Sequence, residues 1–425
     1  MNQSVVAIII IACLFILYMT DIFSVAVTTM IGMVAMVFTG ILTFSEAFSS
    51  FSNSSVMLVL GMIIVIDALL ESGVGGKIGR LLAHLVGDHE RSFVLIVFLS
   101  AAFFSGFMTN APLVAMYMSF IAAIADASDG MITKKNTYLP LAMGALIGGT
   151  GTLIGSTAPL LANNVLATYG VETMSFFTPM PIAFSIVIVV AVCYRLFLYK
   201  WQNKWFDFPE IKDEDELAIN DTPIDQRRAV ISTTVFLISV LLFIFQPFDW
   251  DVGLIAITSA LILVMTKCID GKRALKNMQW SALVTLGSAL AVAQGFVKSG
   301  AGEVVIRWLI GMLGEWIQNP IVLVTLFLVA GYVLSLFMAN GSLVSMLTAI
   351  AVPLAMEAGC NPMPIALACV FGASLAMATP VASTSITMVE VAGYRFKDYF
   401  RVGGTVGLIG LATTWVCIVL IYGLV

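Results

Sequence analysis

The chain has 425 residues, 60% of them hydrophobic and only 11% charged, against about 25% charged in soluble globular proteins. So much apolar surface exceeds what a water-soluble core hides, which excludes a soluble enzyme behind a signal peptide and makes the bilayer the solvent. The net charge of −5 reflects one acidic run, Asp213, Glu214, Asp215 and Glu216, and describes a linker rather than a substrate.

In chain order, spanning helices are predicted near 5–20, 23–42, 54–72 and 174–198, then near 228–245, 252–267, 281–298 and 400–423. The opening Met1-Asn2-Gln3-Ser4 lacks a basic signal-peptide region, so the first helix is expected to be retained. Each half also carries two unusual regions. One is an apolar pair broken only at a polar point, 92–126 and 320–355. Its first break, Thr109-Asn110-Ala111-Pro112, offers no loop long enough to surface, and a re-entrant hairpin is expected, with one long kinked helix as the alternative. The other is an over-long stretch, 139–168 and 364–392. As a single helix it would reach about 45 Å, beyond a hydrocarbon core of about 30 Å. Its middle reads Gly148-Gly149-Thr150-Gly151-Thr152-Leu153-Ile154-Gly155-Ser156-Thr157, poor helix and good loop, so a helix broken at mid-membrane is expected.

The charges test this layout. If each broken stretch crosses once and each hairpin returns to its own side, there are ten crossings. Eighteen of the 20 basic residues then lie on the cytoplasmic face, leaving only Lys298 and Arg307 outside, as the positive-inside rule requires. Both termini are expected outside a cell (inner) membrane, with the 199–227 linker cytoplasmic.

Five crossings per half turn the second half upside down. The expected organisation is an all-α polytopic membrane protein of two inverted-topology repeats, 1–198 and 228–425, of five crossings each. Internal matches support a duplication. The hairpin residues Phe107-Met108-Thr109-Asn110 match Phe337-Met338-Ala339-Asn340, the stretch from Ser72 to Leu82 matches that from Ser299 to Ile310, and Pro140 and Gly148 match Pro364 and Gly372. Inverted repeats with discontinuous helices are a transporter signature, and their binding site lies at the repeat interface.

Four places carry a family resemblance. They are Asn110-Ala111-Pro112-Leu113-Val114-Ala115-Met116; Gly148-Gly149-Thr150 through Thr152-Leu153-Ile154-Gly155; Asn361-Pro362-Met363-Pro364 leading into Ala378-Thr379-Pro380; and the run from Gly393-Tyr394-Arg395 to Val402-Gly403. At these residues the chain resembles the divalent anion:sodium symporter family, in the bacterial permease branch of the ion transporter superfamily. The resemblance implies a homodimer, sodium as coupling ion, and elevator-type alternating access that carries a small anion such as a di- or tricarboxylate or sulfate. By position it implies substrate contacts at Thr109, Asn110, Ala111, Asn340, Gly341, Ser342, Thr379 and Pro380. The cation ligands it implies are Asn110, Gly148, Gly149, Thr150, Thr152, Gly155, Ser156, Asn340, Ser374, Ala378 and Ser383. Two features depart from the family. Its tips usually read Ser-Asn-Thr, where only Asn110 and Asn340 persist here, with Ser342 one step along; and Pro159 and Ile386 stand where its loops usually end in Asn.

The residues support cation coupling without the family. No Lys or Arg lies inside a predicted span, so a mid-membrane anion needs compensation from helix N-termini, amides, hydroxyls or co-bound cations. Glycine-loop carbonyls, hydroxyls and amide oxygens are the hard ligands such a cation prefers. Blander readings exist: the asparagines as helix caps, the glycines as close-packing positions, and Asp67 and Glu71 as interfacial carboxylates rather than proton relays. The stretches 74–87 and 301–316 are read as helices lying on the two faces, and His84 and His89 as interfacial. The cysteines show no metal or disulfide spacing, so no transition metal is expected. There is no HExxH or nucleophile–histidine pair at membrane depth, so neither an enzyme nor a nucleic-acid partner is expected. The alternatives are an arsenite-type oxyanion efflux permease of the same superfamily and an anion channel.

Overall fold

Long charge-free apolar runs set the helices, and polar residues at their starts cap them. Asp251 accepts the Gly253 N–H at 2.8 Å, Asn319 that of Ile321 at 2.9 Å and Asn361 that of Met363 at 2.9 Å, each satisfying a donor the helix leaves orphaned. The computed structural model describes residues 3–20, 22–73, 90–128, 131–209, 225–245, 250–278, 280–302, 304, 311, 314–336, 340–379 and 383–424. The sequence-based expectations for 74–87, His84, His89, Asp213 to Glu216, Arg307, Ala339 and Pro380 lie outside these residues, as does most of 301–316.

The regular elements among the described residues are all helices, and these residues contain no strand. The first half runs α1 (Gln3–Thr20), α2 (Val25–Phe38), α3 (Phe44–Ser49), α4 (Ser54–Glu71), α5 (Glu90–Ser105), α6 (Asn110–Ala127), α7 (Lys134–Gly149), α8 (Thr157–Thr168) and α9 (Met180–Cys193). A π turn, Tyr194–Leu198, leads on into α10 (Tyr199–Trp205). The second half runs α11 (Gln226–Phe245), α12 (Val252–Met265), α13 (Gly271–Lys276), α14 (Trp280–Lys298), α15 (Pro320–Ser335), α16 (Asn340–Glu357), α17 (Pro362–Ser374), α18 (Thr384–Met388), α19 (Phe396–Asp398) and α20 (Gly404–Ile421). Among the described residues five helices are long and apolar enough to cross a membrane: Phe44–Leu69, Met180–Trp205, Gln226–Phe243, Asn340–Glu357 and Phe396–Ile421. This is a polytopic membrane protein.

Two groups of helices form. In one, α4 packs on α11 and α12, and α14 packs on α2. In the other, α5 packs on α7, α15 on α17, α9 on α20 and α16 on both α8 and α17. The groups meet where α14 lies against α8 and α16. Aromatic pairs add contacts between them: Phe107 meets Phe236 edge-on at 6.3 Å, and Phe176 stacks on Phe243 at 5.3 Å.

Glycine sets the closest approaches in the second group. A Cβ on Gly148 would collide with the Ala102 carbonyl, and one on Gly372 with the Leu328 carbonyl. Small residues let membrane helices pack backbone to backbone. Here they bring α7 onto α5 and α17 onto α15 in the same manner.

Candidate functional site

Both over-long stretches are interrupted. α7 ends at Gly149 and α8 starts at Thr157; α17 ends at Ser374 and α18 starts at Thr384. The backbone of 150–156 is buried except at Ser156, which is half-buried, so its polar groups must be satisfied within the protein. Thr152 does part of this work, accepting the Gly155 N–H at 3.2 Å and donating to the Gly106 carbonyl at the end of α5. In the other half, Thr379 donates to the Leu336 carbonyl at 2.8 Å, just past the end of α15. Each broken loop is therefore pinned by a threonine to its own hairpin.

The hairpin tips repeat a second device. Ser105 donates to Oδ1 of Asn110, the first residue of α6. Ser335 donates to Oδ1 of Asn340, the first residue of α16, at 2.6 Å. Neither serine was read from the sequence as a site residue. The signal was present: Ser105 and Ser335 each precede their asparagine by five positions, so the matched tip motif extends two residues further back than was recognised.

Around Gly149 these groups converge. The place where a Cβ would sit lies 3.0 Å from Ser105 Oγ, 3.0 Å from the Gly155 carbonyl oxygen and closer still to Asn110 Oδ1. Glycine thus leaves a small recess walled by three oxygens. Gly148 takes no part in this wall and serves the contact with α5. Thr150 caps α7 and donates to the Ile147 carbonyl at 2.6 Å, and Ser156 caps α8, accepting the Ala158 N–H at 3.3 Å. Thr109 caps α6 by position, without a side-chain cap hydrogen bond, and Ala111 follows, half-buried.

In the second half Asn340 is 9% exposed. Ser342 and Ser374 are buried, and neither hydroxyl has a hydrogen-bond partner among the described residues. Buried hydroxyls without partners are uncommon and invite an explanation. Ser383 precedes α18 without a side-chain cap hydrogen bond, and Ala378 is buried, with its Cβ 3.5 Å from where a Cβ on Gly404 would lie. The halves interlock at this level. A Cβ on Gly341 would sit 3.0 Å from Thr157 Oγ1; α16 packs on α8, and α18 packs on α6.

Asp67 and Glu71 lie away from these tips. Asp67 accepts from Asn277 at 2.9 Å and Glu71 pairs with Arg273 at 2.5 Å. The described residues contain no group of three or more His, Cys, Asp or Glu side chains able to hold a metal ion.

The family to which the chain belongs makes this polytopic membrane protein a transporter and not an enzyme. The chain belongs to the citrate transporter family, whose profile matches residues 15–368, in keeping with the divalent anion:sodium symporter resemblance. It is similar to the sodium-dependent dicarboxylate transporter SdcS of Staphylococcus aureus, 25% identical over 92% of this chain and 81% of that one. An uncharacterised transporter of Methanocaldococcus jannaschii is 24% identical over 96% of this chain and 91% of its own length. The uncharacterised transporter YfbS of Escherichia coli is 29% identical over 163 residues, 38% of this chain, and the match spans only about a quarter, 26%, of that relative. Among solved structures, the fold is similar to that of the YdaH transporter of Alcanivorax borkumensis, with a TM-score of 0.62 at 15% identity over 89% of this chain and 88% of that one.

Proposed function

We propose that the protein is a secondary active transporter that couples sodium entry to uptake of a small anion, a di- or tricarboxylate or sulfate. The observation that carries this reading is the recess at Gly149. Hard cations take oxygen ligands, and Ser105 Oγ, Asn110 Oδ1 and the Gly155 carbonyl form such a set. Asn340, Ser335 and the unpartnered hydroxyl of Ser374 supply the counterpart in the second half, with Ser342 offered to the anion. The N-termini of α6, α8 and α16 carry partial positive charge, and with bound sodium they compensate an anion in a region where the sequence places no Lys or Arg inside a predicted span. The name of the sodium-dependent dicarboxylate transporter to which the chain is similar supports the same substrate class.

In this reading 1–198 and 228–425 are inverted repeats of five crossings joined by a cytoplasmic 199–227 linker, with both termini outside. The group holding the tips moves as an elevator against the group holding α14, and two copies form a dimer. The test is uptake of labelled succinate, citrate and sulfate into proteoliposomes under an inward sodium gradient. Saturable uptake that collapses in choline supports the proposal. Uptake unchanged by replacing sodium with choline sinks it.

A further inference from the structure

α7 carries Pro140 in its interior. Proline has no N–H, so the Asn136 carbonyl four residues back loses its helical donor. Gln202, fully buried on α10, takes that place: its Nε2 donates to the Asn136 oxygen at 2.7 Å. One rung earlier, the Tyr394 hydroxyl stands between the Leu139 N–H and the Lys135 carbonyl. These groups are four residues apart and pair with each other in an unbroken helix. The hydroxyl accepts from the first at 3.0 Å and donates to the second. Two neighbouring rungs of α7 are thus served by side chains from distant parts of the chain.

Both side chains are held firmly. The Tyr394 ring packs at 5.1 Å from Phe206, 5.8 Å from Phe208 and 5.7 Å from Tyr399. Burial raises its hydroxyl pKa well above the ordinary tyrosine value, which keeps the proton it donates. Tyr194, in the π turn before α10, donates to Gln202 Oε1 at 3.4 Å. The start of α7 is anchored separately: Glu90 accepts from the Thr133 N–H at 2.8 Å, from Asn136 Nδ2 at 3.0 Å and from Tyr199 at 2.6 Å.

Prolines and inserted polar groups are what kink helices. From Pro140 to Gly149 the helix runs about 13 Å, so each 5° of bend at Pro140 would move the recess by about 1 Å. Ligand sets tolerate errors of only about 0.5 Å. We propose that Gln202 and Tyr394 are positioning residues for the first-half cation recess, setting the course of α7 past Pro140 so that Gly149 meets Asn110 and Ser105. This rests on the cation reading above. The second half needs no such bridge: Pro364 falls in the first turn of α17, where helix N–H groups are orphaned anyway.

The test uses the full chain in proteoliposomes with succinate as substrate, comparing Gln202→Leu and Tyr394→Phe, each alone and Gln202→Leu also with Pro140→Ala. Each single variant is expected to raise the sodium half-saturation about five-fold, the equivalent of one hydrogen bond, while retaining the rate at saturating sodium. Alanine at 140 restores an N–H for the Asn136 carbonyl, so Gln202→Leu should add nothing in that background, a non-additivity that general loss of stability does not produce. Wild-type sodium half-saturation in both single variants overturns the proposal, as does an undiminished Gln202→Leu effect beside Pro140→Ala. A wild-type protein indifferent to sodium would instead defeat the cation reading. The same cycle is then scored on the half-saturation for succinate, where full additivity overturns the positioning role.

Discussion

Ser335 donates its hydroxyl proton to the Asn340 side-chain carbonyl at 2.6 Å, and Ser105 makes the same bond to Asn110. Two polar pairs of identical spacing at two hairpin tips define the candidate site more sharply than either asparagine alone. Replacing Ser335 by Ala removes a donor from a buried acceptor, at a cost of about 1–3 kcal/mol. Ser335→Ala and Ser105→Ala should each weaken sodium dependence of uptake by ten-fold or more, on the order of 1.4 kcal/mol. Titration of initial uptake rate against sodium checks this.

Gly149→Ala should be more damaging. The new methyl would fill the recess between Asn110 Oδ1, Ser105 Oγ and the Gly155 carbonyl. Overpacking of this kind typically costs about 1–3 kcal/mol. The purified variant should lose the melting-temperature rise that sodium gives the wild type through binding to the folded state; a retained rise would remove the recess from the cation path.

Thr152→Val and Thr379→Val keep side-chain shape and delete the hydroxyls that pin the broken loops. Each leaves the Gly106 or Leu336 carbonyl without that donor, a loss of about 1 kcal/mol or more. Melting temperature in detergent should fall in both variants, and further for Thr152→Val, whose hydroxyl also accepts from the Ile154 and Gly155 N–H groups.

On the cytoplasmic side of the proposed topology, Lys397 holds Asp207 below the usual carboxylate range by a hydrogen bond at 3.2 Å. A folded-state pKa below the unfolded one gives stability that is present at neutral pH and lost as acid protonates the carboxylate. The pair is exposed, so its contribution is screened and small. Asp207→Asn should differ slightly from wild type in melting temperature at pH 7, and the difference should vanish on acidification through the carboxylate range.

Where helices break is written locally. Gly148 to Thr157 is a run of residues with poor helix propensity, and Asn361 followed by Pro362 is a helix start that capping and proline chemistry announce. The extent of α7 was less legible: it begins at Lys134, five residues before the predicted 139. Lys134 and Asn136 look like loop residues in sequence, yet both are buried; Glu90 accepts from the Asn136 side-chain amide and Gln202 donates to its backbone carbonyl.

Composition alone determined that the chain lives in a bilayer, because 60% apolar residues leave no other solvent. Glycine and asparagine positions then marked the loops and tips, since backbone preference depends on a few neighbours. Only the tertiary structure decided which groups meet: Ser105 on Asn110, Thr152 on Gly106, Gly341 beside Thr157, Tyr394 within the ladder of α7. A hydrogen bond needs heavy atoms within about 3 Å and well aligned. Across separations as long as the 255 residues between Leu139 and Tyr394, packing sets that alignment, and sequence pattern does not.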